Sequence, residues 1–108
     1  MSAGSCTLAI PADHPAFAGH FPGHPIVPGV VLVDAAARAI AAAFHLGDPC
    51  WHIGSVKFVR PVGPGEALRL SWKAPAASGA IAFSIDTAGQ PVASGTLTPR
   101  PPVDGDHA

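Results

Sequence analysis

Charge is scarce in this chain: of 108 residues 12% are Asp, Glu, Lys or Arg, and the net charge is −1. That scarcity excludes most nucleic-acid binders, which need a dominant basic face to neutralise phosphates. It also leaves little polar material to cover a surface while 48% of the residues are apolar, so a partner subunit is expected. Cysteine is scarce too. Cys6 and Cys50 show neither CxxC nor zinc-like spacing, and both thiols are expected to stay reduced. No basic segment followed by an apolar stretch opens the sequence, so no secretory signal is read and a cytoplasmic location is expected. The longest apolar run, Val30 to Leu46, is broken by Asp34, Arg38 and His45 and is short for a membrane span.

The few charges are unevenly placed. Between positions 57 and 100, Lys57, Arg60, Arg69, Lys73 and Arg100 face only Glu66 and Asp86. Lys57, Arg60, Arg69 and Lys73 are expected on solvated strand faces, with docking of an acidic partner as the sharper alternative.

Proline and glycine punctuate the rest. Segment 11–29 carries five prolines, which forbid regular helix and stiffen the loop. After Pro28-Gly29, the alanine-rich "VVLVDAAARAIAAAFHL" predicts a helix that Gly47 would stop. It is apolar nearly all round, so it should be enclosed. "CTLAI" (6–10), "IGSVKFVR" (53–60), "EALRLSWK" (66–73), "AIAFSID" (80–86) and "VASGTLT" (92–98) predict short antiparallel strands between turn signals. Leu68, Leu70 and Trp72, then Ile81, Phe83 and Ile85, alternate with polar neighbours as half-buried strands do. One α+β domain over 1–100 follows, an antiparallel sheet of about five strands wrapped around one long central helix, with residues 101–108 expected to be a disordered tail.

From the residues alone, His20 fits either a catalytic base or a loop histidine bonded to backbone carbonyls. Asp34 fits either a buried acid or the partner of Arg38 in an i,i+4 pair. His14, His20 and His24 invite a metal, but Pro22 and Pro25 exclude helical spacing there and no cysteine or extra carboxylate completes a set, so no metal is expected. His45 and His52 read as surface or packing residues. Phe17, Phe21, Phe44, Phe58 and Trp72 are core candidates, any of which could also line a tunnel.

"GHFPGHPIVPGVVLVDA" (19–35) resembles the signature of the (3R)-hydroxyacyl-[acyl-carrier-protein] dehydratases, and "KFVRPVGPGEAL" (57–68) is similar to a later segment of the same family. The resemblance spans about residues 6–98. It implies the hotdog fold and a lyase that removes water from (3R)-hydroxyacyl thioesters in fatty-acid or related acyl-chain biosynthesis. His20 falls on the histidine that removes the α-proton, and Asp34 falls on the acid that assists departure of the hydroxyl. Gly29 falls where a backbone N–H faces the thioester carbonyl, with Val30 beside it at the helix start. No cofactor is implied beyond the phosphopantetheine of acyl carrier protein or coenzyme A that carries the substrate. The resemblance further implies a homodimer or an oligomer of dimers, in which the histidine of one chain meets the acid of the other. A heterodimer with a related hotdog subunit is a further possibility.

Two departures bear on activity. Arg38 stands where the family usually has glutamine, and a cation beside an acid weakens it as a proton donor, so Arg38 is a modulating residue. Nineteen residues precede His20, fewer than the family usually carries, which suggests a more open tunnel or a need for a partner chain. A non-catalytic hotdog subunit and a hotdog thioesterase are the alternatives.

The chemistry suits the residue types independently. Removing a proton beside a thioester builds enolate charge, which unpaired N–H donors and the positive end of a helix can receive. Asp34, in the second turn of an apolar helix, is expected to be desolvated there.

Overall fold

The computed structural model describes residues 2–10, 27–47, 49–63 and 65–100. The chain runs β1 (Gly4–Leu8), α1 (Gly29–Ala43), β2 (Cys50–Phe58), β3 (Leu68–Trp72), β4 (Ile81–Thr87) and β5 (Gln90–Arg100). All strand pairings are antiparallel, in the order β1-β3-β4-β5-β2, so β1 and β2 are the two edges of one sheet. One helix against five antiparallel strands is the architecture expected above.

Alternation decides which face is inside. Leu68, Leu70 and Trp72 on β3 and Ile81, Phe83 and Ile85 on β4 are buried, and Leu97 of β5 pairs with Ile81 on the same face. The helix lays Leu32, Val33, Ala36, Ala37, Ile40 and Ala41 onto this surface. At its far end Phe44 meets Trp72 edge-on, with centroids 6.2 Å apart and planes at 89°.

Two turns set the geometry around the site. Between β4 and β5, Ala88 and Gly89 take φ of 49° and 78°, the left-handed pair of a tight two-residue hairpin whose twist matches the flanking strands. Between β2 and β3, the Glu66 carboxylate accepts from Gly63 N–H, while Gly65 N–H donates to Ile10 C=O at 3.0 Å. That ties the turn to the strand-like start of the chain.

Four expectations change. The helix stops at Ala43, before Gly47, because His45 itself takes the left-handed conformation at φ 54°. The helix is not enclosed: α1 packs most closely on the β1 side of the sheet and exposes Val30, Asp34 and Arg38 on its other face. Its 15 residues make about four turns, an ordinary length rather than a long one. β2 is largely exposed rather than half-buried, since α1 leaves most of it uncovered, and Ile53 and Phe58 are 53% and 51% exposed on its helix-side face.

Cys6 and Cys50 are both free. They lie on opposite edges of the sheet with three strands between them, far outside the roughly 7 Å within which Cα atoms can be bridged. No described helix is long and apolar enough to cross a membrane.

Candidate active site

The start of α1 is chemically bare. Pro28 holds the N-cap position without a side-chain hydrogen bond, and the first turn contains no acidic residue. Val31 and Leu32 N–H both return to Pro28 C=O, at 3.0 and 3.3 Å, so Gly29 and Val30 keep the N–H groups without an intrahelical acceptor. Val27 N–H donates to Val62 C=O at 2.8 Å, which fastens the entry of the helix to the segment after β2.

An apolar cavity of about 510 Å³ opens at this point, walled among the described residues by Val27, Gly29, Leu32, Phe58, Arg60 and Val62. Phe58 sits so close to the helix that a Cβ on residue 29 would lie 2.7 Å from its Cζ. Only glycine permits that approach. Gly29→Ala is therefore expected to push the ring aside and disturb the cavity at the donors, lowering kcat/KM for a thioester substrate about ten- to a hundredfold. Because Phe58 is half-exposed and can swing, the melting temperature should stay nearly constant, which thermal unfolding in parallel with kinetics would check.

Asp34 lies elsewhere on the helix. Five residues of α-helix separate it from Gly29 by about 140° of rotation, and its side chain is outside the cavity wall. The expected desolvation is not provided by this chain: the Asp34 side chain is 60% exposed, because the sheet covers only the opposite face of α1. Its carboxylate instead accepts from Arg38 Nε at 2.8 Å, the i,i+4 pair that the spacing allowed. His20, His14, His24, Phe17 and Phe21 lie outside the described residues. The structure thus brings Gly29 to the cavity, leaves Val30 exposed beside it, and brings Asp34 to Arg38.

Phe58 takes the tunnel-lining place that the sequence left open beside a core one, and Val62 is the wall residue that sequence reasoning missed. Phe58 reads as core in an alternating strand, and nothing local says that β2 is an uncovered edge. The usable signal was Gly29, a residue without a side chain at a helix start, which invites a neighbouring ring. Of the other aromatic candidates, Trp72 is buried and Phe44 half-buried, while His45 and His52 are exposed.

The model of the ApeI-like proteins, described as ApeI dehydratase, matches residues 2–96. The chain belongs to the ApeI-like dehydratase family. A 3-hydroxyacyl-[acyl-carrier-protein] dehydratase FabZ of Thermus thermophilus is 37% identical over 97 residues, covering 80% of this chain and 68% of that protein. The FabZ of Thermomicrobium roseum is 42% identical over 69 residues, covering 56% of this chain and 46% of that protein. The chain spans somewhat under half the length of several curated relatives it matches. Among solved structures, the dehydratase heterocomplex ApeI:P from Xenorhabdus doucetiae superposes with a TM-score of 0.76 at 26% identity, covering 91% of this chain and 87% of that one. The fluoroacetyl-CoA-specific thioesterase FlK, at 0.64 and 15% identity, covers 88% of this chain and shares the hotdog fold. This ApeI-like chain is a hotdog protein with the helix-start cavity described above.

Proposed function

We propose that this chain is a dehydratase that converts a (3R)-hydroxyacyl thioester, carried on acyl carrier protein or coenzyme A, to the trans-2-enoyl thioester and water. The observation that carries the reading is the uncapped helix start, where Gly29 lines an apolar cavity beside Phe58 and the Gly29 and Val30 N–H groups lack an intrahelical acceptor. The acyl chain occupies the cavity and its carbonyl oxygen meets the two donors. Neutral His20 takes a proton from C2, and the electron pair moves onto the carbonyl oxygen, where the donors stabilise the enolate. The enolate then collapses as the C3–O bond breaks, and protonated Asp34 gives its proton to the departing hydroxyl, which leaves as water. Proton return from the imidazolium to the carboxylate resets the pair. No cofactor or metal is required by this sequence of steps. Hydration of a short trans-2-enoyl thioester, followed by loss of enoyl absorbance, tests the reading, and absence of turnover from folded protein would reject it.

The exposed position of Asp34 favours a site completed by a second copy of the chain. β2 is a nine-residue edge strand with free backbone groups, and its exposed Ile53 and Phe58 continue toward Val30, 75% exposed, on the helix. A homodimer that pairs these edges would cover the apolar stripe and let His20 of one protomer serve Asp34 of its partner. Ile53→Lys is expected to shift the protein from dimer to monomer in sedimentation velocity and to abolish turnover with it.

Arg38 modulates the acid in this scheme. Its Nε occupies Asp34 Oδ2, an oxygen that would otherwise meet the leaving hydroxyl. Arg38→Gln should raise kcat about two- to tenfold, while stability changes by less than about 0.5 kcal/mol, as for an exposed ion pair. That same ion pair favours a second reading, a non-catalytic subunit completing a related hotdog chain. A protein without turnover that forms a tight complex only with such a chain would establish it.

A further inference from the structure

We propose that Arg60 reads the phosphate of the pantetheine arm that carries the substrate, and so sets the preference of this site for phosphorylated carriers. The proposal rests on the dehydratase reading only for the identity of the arm. Its geometry stands on the cavity itself, where Arg60 is the single charged residue of the wall among the described residues.

The side chain is placed and left unneutralised. Arg60 Nη2 donates to Gln90 Oε1 at 3.2 Å, and Gln90 is the first residue of β5, immediately after the tight Ala88-Gly89 turn. This contact, between two exposed side chains, orients the guanidinium and lowers the entropic cost of a later ligand. Glutamine is a neutral acceptor, so the positive charge is not cancelled. Among the described residues, Arg60 has no carboxylate within salt-bridge distance, whereas Arg38 is paired with Asp34 and Arg69 donates to Ser5 Oγ away from the cavity. Nε and Nη1 of Arg60 have no acceptor among the described residues.

Placement along the chain separates the two chemistries. Phe58, the last residue of β2, lies against Gly29, and Arg60 follows two residues later, exposed in the bend after the strand. Hydrocarbon and thioester occupy the apolar interior and the helix start, and a single anionic group is received at the mouth. An arginine fork with free N–H groups suits a phosphate oxygen pair better than a point charge would. Carrier protein and coenzyme A share that phosphate ester.

The test compares binding of 4′-phosphopantetheine and of pantetheine by calorimetry, with the full-length protein and with Arg60→Ala, Arg60→Lys and Gln90→Leu. The native protein should prefer the phosphorylated arm about ten- to a hundredfold. The ratio should fall toward one in Arg60→Ala, be partly retained in Arg60→Lys, and drop several-fold in Gln90→Leu. In kinetics, Arg60→Ala should raise KM for enoyl thioesters with little change in kcat. A rise confined to one of the carrier-protein and coenzyme A thioesters would name the source. Equal affinity of the native protein for both arms, no binding of either, or an unchanged ratio in Arg60→Ala overturns the proposal. Preference for phosphate in a protein without turnover would keep it while rejecting dehydration.

Discussion

Asp34→Asn and His20→Ala should each lower hydration of a short trans-2-enoyl thioester by about 10²- to 10⁴-fold, the usual contribution of a positioned acid or base. Asparagine keeps the size of the side chain and can still accept from Arg38, so folding should be unaffected, but it carries no proton to exchange with a hydroxyl. The loss should appear in kcat rather than KM, because the acid acts on the leaving group and not on the acyl chain. If the two residues act together, the double variant should be scarcely slower than the worse single one. Mixing the two inactive single variants provides a sharper check: in a dimer whose sites are shared between chains, mixed dimers should regain one native site and up to about a quarter of the total site activity at random assortment. No recovery from mixed dimers would show that His20 and Asp34 do not meet across chains.

Ile40→Ala is expected to cost about 2–5 kcal/mol, a large share of the roughly 5–15 kcal/mol that holds a domain of this size together. Ile40 is 0% exposed at the centre of the helix face that packs on the sheet. Removing its outer carbons leaves a cavity that neighbours on the strands cannot close without breaking the register of the ladder. Urea unfolding should show a lowered midpoint at unchanged slope. Val30→Ala on the opposite face is the matched comparison. Since Val30 is 75% exposed in the single chain, a cost of about 0.5 kcal/mol or less is expected for a monomer. A larger cost would report that another chain covers that face.

Much of the fold was legible because burial in this protein follows short periods. Leu68, Leu70 and Trp72 announce a two-residue alternation, and the alanine-rich stretch after Pro28-Gly29 announces a helix, each from neighbours along the chain. The helix end was misplaced because His45 adopts a conformation usually left to glycine or asparagine, a choice the flanking turn makes. The exposure of β2 was hidden for a different reason. Ile53 and Phe58 read as one face of a half-buried strand, and only the strand order places them at an edge that α1 leaves largely uncovered.

The candidate site divides along the same line. By itself the sequence determined the Pro28-Gly29 helix start, the i,i+4 spacing of Asp34 and Arg38, and the family resemblance, since each depends on residues close together in the chain. Tertiary structure alone decided that Phe58 closes over Gly29, that Arg60 is held by Gln90 thirty residues away, and that Asp34 faces away from the sheet. Those facts depend on which strands become neighbours and which helix face the sheet covers. Pairing is a competition among all strands for partners and burial, and no local stretch of sequence records its outcome.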